Sequence, residues 1–388
     1  MKKKLCFVLD QFLYGGIERV AINYLNGIDK DKYDIDVVIL SDIEDMVNKI
    51  PKECNVIKLN IPRYHNPLSR ASTMVRRKAG AILYYGTYIL KKIFIYPLDY
   101  IRTSNLRKKT YDVAIAFSGH LNDCYVVLDC MKAKKKLVLA HGMIYQYLLM
   151  SPAFEKMYSK FDKIVSINHI DQNDIFYCKP YLKYNIVNLY NPTLKINKTN
   201  SIDDVKKYNK YILSVARLEH PKDFITLVDA YNLLDEKIKK EYKLLIVGDG
   251  PDRDKISKHI EKLKLSEKVY FLGAKDNVDV YYQNADLFVL STKAEGLGMV
   301  IIEAMGNGCP VISTDAPYGP RDILGSNEYG ILCPVSDPKF MAKSIEEMLS
   351  NNKLRKEYIE KGLARYKDFE LSTIMQQFYE VIGDKNGK

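Results

Sequence analysis

Short, continuous apolar runs alternate with amphipathic stretches along most of the chain. LCFVL (5–9) leads through a Gly15-Gly16 turn into the helical run IERVAINYLNGI. DIDVVIL (34–40), YDVAIAF (111–117), KKLVLAHG (135–142), KIVSIN (163–168) and YNIVNLYNP (184–192) follow. Runs of this length that do not alternate with polar residues fit strands of a parallel sheet covered on both faces by helices. The next stretch, PTLKINKTNSIDD (192–204), is polar, lacks apolar periodicity and reads as a linker. The alternation then resumes with YILSVA (211–216), KLLIVGDG (243–250), KVYFLG (268–273), ADLFVLS (285–291) and CPVIST (309–314). Two such series predict an α/β protein of two doubly wound, Rossmann-like domains, 1–192 and 193–370. Ligands of such domains bind outside the carboxyl ends of the strands. A last helical stretch within 371–388 is long enough to cross back to the first domain.

Composition narrows the class. At 388 residues, with 47% hydrophobic and 28% charged positions, the chain has the make-up of a soluble globular protein of two domains. Seven scattered cysteines without a C-x-x-C pair fit reduced, buried thiols rather than a disulfide framework or a metal site. The opening MKKKLCFVLDQF has only five apolar residues before Asp10, too few for a signal peptide, so a cytoplasmic location is expected.

Charge is uneven. Residues 1–195 hold 30 Lys and Arg against 18 Asp and Glu, a net of +12, whereas the remainder is near neutral at 29 against 30. Within 58–109 twelve basic residues face a single acid, Asp99. Such a field attracts an anionic partner, although a solvated basic face has the same composition. The run AGAILYYGTYILKKIFIYPLDYI (79–101) is interrupted by Lys91-Lys92 and is too short to span a bilayer. Its mixture suits a helix lying on an anionic membrane surface, and a core helix accounts for it nearly as well. Nucleic acid is not expected, because no zinc finger, basic zipper or aromatic RNA-binding run is present.

Candidate chemistry gathers at predicted strand ends. Gly15-Gly16 opens a helix whose positive end suits an anion, but it is not G-x-G-x-x-G and equally serves an ordinary tight turn. Arg217 and Lys222, five apart in a strand-to-helix loop, can reach one diphosphate, the first as a fork and the second as a point charge. As a pair of surface bases they would mean nothing. Gly248-Asp249-Gly250 follows a strand and allows close backbone approach to a ligand. KAEGLGMVIIEAM (293–305) places Glu295 beside Gly296-Leu297-Gly298 and Glu303 inside an apolar helix, where a carboxylate needs a partner. Two carboxylate oxygens suit the cis hydroxyls of a ribose; a nearby base within a core is the alternative.

The Glu-x7-Glu spacing, with Arg217 and Lys222 upstream and the Gly-Gly turn after the first strand, resembles glycosyltransferase family four. The likeness runs over most of the chain and is strongest from about 211 to 335, where VYFLGAKDNVDVYYQNADLFVLSTKAEGLGMVIIEAMGNGCPVIST and PYGPRDIL follow the family's donor domain. This resemblance implies the GT-B fold, two Rossmann-like domains facing a central cleft. It further implies a retaining, metal-independent hexosyltransferase that needs no cofactor. The enzyme would use a nucleotide-sugar, a UDP-sugar by expectation, and a glycan or lipid-linked acceptor, in cell-surface polysaccharide or capsule synthesis at the inner membrane face. Carried over by motif, Arg217 and Lys222 would hold the diphosphate, Glu303 the ribose, and Glu295 with the Gly296–Gly298 backbone the transferred sugar. Gly15 and Gly16 would approach the diphosphate or the acceptor from the opposite domain, Gly248 would lie at the donor, and His141 in LVLAHG would reach the donor sugar. A nucleotide-sugar epimerase and a non-catalytic membrane-associated binding protein are the competing readings.

Overall fold

The computed structural model describes residues 2–13, 15–42, 46–61, 96–142, 144, 147–148, 152–169, 185–194, 196 and 203–384. Most of the basic stretch 58–109, including 62–95, lies outside the described residues. The chain divides into two compact units, Met1–Pro192 with Ile374–Lys388, and Thr193–Thr373.

Unit 1 contains β1 (Lys3–Leu9), β2 (Tyr33–Ile39), β3 (Asn55–Lys58), β4 (Thr110–Ala116), β5 (Lys132–Ala140), β6 (Lys163–Ser166) and β7 (Ile186–Asn188). They form one sheet in the order β3-β2-β1-β4-β5-β6-β7, with every pairing parallel. Leu5 to Leu9 of β1 are completely buried, as a central parallel strand requires. Unit 2 repeats the plan with β8 (Tyr211–Val215), β9 (Lys243–Val247), β10 (Val269–Gly273), β11 (Leu287–Leu290), β12 (Val311–Thr314) and β13 (Ile331–Cys333). Its order, β10-β9-β8-β11-β12-β13, is again wholly parallel. Both units thus have the doubly wound arrangement expected from the apolar runs. The strands β3 and β13 escape the sequence pattern. Both are short, lie at sheet edges and are partly exposed, so neither needs a continuous apolar run.

The helix Leu371–Ile382 carries the chain from the end of unit 2 into unit 1. Its apolar face supplies Phe378, which stacks on Phe7 at 6.4 Å and packs on Tyr24 at 5.2 Å between ring centroids. Tyr379 stacks on Tyr33 at 5.6 Å and its hydroxyl accepts a hydrogen bond from the Asp29 N–H at 3.1 Å. Beyond the helix, Asp384 pairs with Lys3 at 2.8 Å and accepts a hydrogen bond from the Tyr33 hydroxyl. These contacts make the C-terminal helix part of the core of unit 1. Phe378→Ala removes a side chain that is 1% exposed. It is expected to destabilise the protein by about 3–5 kcal/mol, read as a lower urea midpoint of the transition that includes unit 1.

Candidate active site

In a doubly wound sheet the two strands at which the order reverses leave their carboxyl-end loops running apart, which opens a crevice. In unit 2 those strands are β8 and β11. The loop after β8 carries Arg217 and a short 3-10 turn, His220–Lys222, before the helix Phe224–Leu233. The loop after β11 carries Lys293 to Gly298 before the helix Met299–Gly306. Backbone and hydroxyl groups tie the loops together. Lys293 N donates to Pro221 O at 2.7 Å, Thr292 Oγ1 donates to Pro221 O at 3.0 Å, and Ser291 Oγ donates to Lys222 O at 2.9 Å.

Across this seam Lys222 Nζ and Glu295 Oε1 form an ion pair, with side chains only 18% and 12% exposed. Asp223 stands beside it in a left-handed conformation (φ 45°, ψ 45°) at the start of the following helix. Its carboxylate binds Thr226 Oγ1 at 2.8 Å and Ser336 Oγ at 3.1 Å, and pairs with Lys293 at 3.2 Å. Arg217 does not join the Lys222–Glu295 pair. Its side chain is 71% exposed and meets Glu219 Oε2 at 3.5 Å.

Gly298 precedes the helix Met299–Gly306 with φ 93° and ψ 54°, a left-handed conformation that favours glycine. Glu303, five residues into that helix, is half-buried, and its Oε2 accepts a hydrogen bond from the fully buried Tyr282 hydroxyl at 3.2 Å. The carboxylate thus has a phenol donor that the sequence did not single out. Gly248 has a steric reason within the chain. At φ 136°, a Cβ there would come within 2.0 Å of Ala216 O, so the loop after β9 can lie against the loop after β8 only with glycine.

Gly15, Gly16 and His141 belong to unit 1. Gly15 caps the helix Gly16–Gly27, and a Cβ on it would meet Glu18 Oε2 at 2.3 Å. The buried Glu18 carboxylate thus sits over its own helix terminus, the place the sequence reading gave to a phosphate. Burial raises its pKa, opposed by the backbone N–H groups of Glu18 and Leu13 and by His120. His141 follows β5, its ring 4.8 Å from that of Phe117, with both ring nitrogens buried and without a hydrogen bond of good geometry among the described residues. Burial, reinforced by the charge of His120, lowers its pKa to about 3, so the imidazole is neutral at physiological pH.

Unit 1 has its own reversal point, between β1 and β4, and the side chains there were not among the candidates from sequence. Asp10 follows β1; Ser118, His120, Asn122 and Asp123 follow β4. Asp10 N donates to Ser118 Oγ at 3.0 Å, and Asn122 Nδ2 donates to Asp10 Oδ1 at 2.8 Å. Asp123, wholly buried, has its pKa pushed up to about 7, chiefly by loss of solvation. The available signal was positional: D-Q after LCFVL and S-G-H-L-N-D around the end of YDVAIAF become neighbours only once β1 is paired with β4.

Comparison with known proteins agrees with this arrangement. Residues 197–365, most of unit 2, match the family described as Glycosyl transferases group 1. The chain is 34% identical over 187 residues to the N-acetylgalactosamine-N,N'-diacetylbacillosaminyl-diphospho-undecaprenol 4-alpha-N-acetylgalactosaminyltransferase of Campylobacter jejuni. That alignment covers 48% of this chain and 49% of the relative, so the chain spans about half the length of that protein. An uncharacterized glycosyltransferase of Haemophilus influenzae is 24% identical over 98% of this chain and 100% of its own. Among solved structures, Anabaena HepE in complex with UDP and glucose superposes with a TM-score of 0.75 at 18% identity, over 98% of this chain and 99% of that one. The fold is that of GT-B glycosyltransferases, and the resemblance read from the Glu-x7-Glu context is borne out at the level of the group 1 family.

Asp123 gives the site a pH signature. An unfolded aspartate ionises near pH 4, whereas the folded one keeps its proton to about pH 7. The stability this provides is complete below pH 4 and is lost as pH rises through 7, a change on the order of 4 kcal/mol. Thermal melts from pH 5 to pH 8 are expected to fall for the natural chain and to fall less for Asp123→Asn.

Proposed function

We propose that the chain is a retaining, metal-independent glycosyltransferase. On this reading it moves a hexose or N-acetylhexosamine from a UDP-sugar to a glycan or lipid-linked acceptor in cell-surface polysaccharide synthesis. The observation that carries the proposal is the Lys222–Glu295 pair, held at the β8–β11 reversal beside Gly296–Gly298 and inside the stretch that matches the group 1 family. The Campylobacter relative, by its name an N-acetylgalactosaminyltransferase acting on a diphospho-undecaprenol substrate, supports the choice of sugar and acceptor. The UDP and glucose bound to HepE support the choice of donor.

In this reading each charge has a task. Departure of a nucleoside diphosphate from the anomeric carbon builds negative charge on the leaving oxygens. Lys222 offsets it as a point charge, and Arg217, exposed on the same loop, brings a fork of donors. Lys222 and Glu295 neutralise one another before the donor arrives. When it binds, Lys222 turns to phosphate and Glu295 accepts hydrogen bonds from sugar hydroxyls, so neither charge is left buried alone. The Tyr282 hydroxyl fixes one oxygen of Glu303 and so orients that carboxylate for the ribose. Neutral His141 contributes a hydrogen bond to the donor sugar without adding charge. The acceptor oxygen bonds to the anomeric carbon on the face from which the diphosphate leaves with its electron pair, and the hydroxyl proton passes to the departing phosphate.

Peripheral attachment to an anionic membrane is part of the proposal. Leu98, Tyr100 and Ile101 are exposed large apolar residues on the helix Tyr96–Arg102, and Arg102, Lys108 and Lys109 are close in sequence. Among the described residues no helix is long and apolar enough to cross a membrane.

Glu295→Ala and Arg217→Ala are each expected to lower sugar transfer roughly 100-fold or more. Arg217→Ala keeps the urea midpoint of the natural chain, whereas Glu295→Ala, which leaves Lys222 unpaired, stays folded with a lower one. Wild-type turnover in both variants would sink the site assignment. Sedimentation with phosphatidylglycerol vesicles is expected at low salt and should fade as salt screens the basic segment. Failure to pellet at low salt would end the membrane part of the reading.

A further inference from the structure

The loop after β12 has no part in the donor chemistry above, yet it meets the Glu295 segment at three successive points. The Thr314 hydroxyl, at the end of β12, donates to Thr292 O. Tyr318 pairs with Glu295 as a single parallel bridge between backbones. Gly319 lies so close to Leu297 that a Cβ on it would stand 2.1 Å from the Leu297 carbonyl oxygen and 2.6 Å from its Cα. Leu297 is itself buried, so its backbone cannot step aside cheaply. All three contacts fall on main-chain atoms of residues 292–297. They locate the peptide chain that carries Glu295 rather than any one side chain.

Tyr318 holds its place at φ 76° and ψ −101°. A residue with a Cβ rarely adopts that conformation, which persists only where the surroundings impose it. Here they do so from both sides. Before Tyr318, Asp315 N donates to Cys333 O at 2.6 Å. The Asp315 carboxylate also receives the Arg321 guanidinium as a fork, with Nε 2.8 Å from Oδ1. After it, Arg365 of the helix Asn352–Tyr366 donates to Asp322 O at 2.8 Å and to Ile323 O at 3.2 Å. A glycine at 318 would take this conformation without cost, and would leave it as easily.

We propose that Tyr318 and Gly319 are positioning residues for sugar transfer: they fix the backbone of Glu295 to Leu297 and so hold the Glu295 carboxylate at the hydroxyls of the transferred sugar. They act through Glu295 and not on the sugar itself. This rests on the reading that Glu295 binds the donor sugar. The need arises when the donor enters. Lys222 then turns to phosphate, the ion pair that located Glu295 is broken, and the backbone mount keeps the carboxylate in place.

The test has two arms, both on the full chain. In the first, hydrogen exchange of residues 292–298 is followed by mass spectrometry without ligand. Tyr318→Gly is expected to speed exchange there by about tenfold or more, while the helix Phe224–Leu233 exchanges as before. In the second, UDP release is measured from UDP-glucose, UDP-galactose, UDP-N-acetylglucosamine and UDP-N-acetylgalactosamine, and the fastest donor is kept. Tyr318→Gly and Gly319→Ala, each checked for folding by its melting temperature, should lower that rate by about tenfold to 100-fold. On a Glu295→Ala background the same changes should cost less than about threefold, because the residue through which they act is gone. If the Cβ of Gly319→Ala prevents folding, Tyr318→Gly decides. A role in stability alone lowers the rate by equal factors in both backgrounds, and that result overturns the proposal. Unchanged exchange at 292–298 overturns it too, as does faster exchange with an unchanged rate. Failure of the natural chain to release UDP from any of the four would instead count against the donor reading, and the exchange arm would still decide whether the loop after β12 holds the Glu295 segment.

Discussion

Unit 2 is organised by the pairing of β8 with β11, two strands more than seventy residues apart that must lie side by side. The ladder between them is short: Leu287 pairs with Ile212 and Phe288 with Leu213, and there it stops. Past that point the contacts between the two loops include those to Pro221 and Lys222 and the Asp223–Lys293 pair. The strands are parallel and the order reverses here, so the helices that follow lead to opposite faces of the sheet. Lys222 and Glu295 meet at this point, and Gly298 and Glu303 follow on the same segment. A substitution that disturbed the Phe288–Leu213 end of the ladder would displace all of them without touching any.

The fold was largely legible because burial of a parallel sheet on both faces forces continuous apolar runs, and those runs survive in LCFVL, YDVAIAF, YILSVA and ADLFVLS. The strands β3 and β13 left no such trace because an edge strand can be short and half-exposed. Legibility of the site was of a different kind. Lys222 and Glu295 could be singled out by residue type and spacing, yet nothing in the sequence says that they pair with each other while Arg217 turns outward to Glu219. Gly248 was legible as a glycine that matters, but its measurable constraint is the carbonyl of Ala216. Glu303 posed the question of a buried carboxylate, and its visible partner, Tyr282, comes from a helix whose sequence DVYYQ carries no sign of the task.

The two units treat anions in opposite ways. In unit 2 the loop after β8, at the reversal point, carries Arg217 and Lys222; Glu295 balances Lys222, and Glu219 meets Arg217. In unit 1 the same topological position gathers Asp10, Glu18 and Asp123 around one imidazole, and Glu18 covers the helix terminus that would otherwise attract a phosphate. This local field contrasts with the strongly basic balance of the first 195 residues, so net charge says little about the ligand of any one crevice. Fold supplies the location and side chains decide the sign.

The helix Leu371–Ile382 has a consequence for how the molecule is made. Phe378 and Tyr379 complete a core that includes Phe7, Tyr24 and Tyr33, all synthesised before unit 2. All of Thr193–Thr373 is synthesised in between. Unit 2 can close while translation continues, whereas unit 1 waits with an aromatic face uncovered until Phe378 and Tyr379 emerge. The half that is synthesised first is the half that finishes folding last, and during that interval its exposed rings are a target for chaperones.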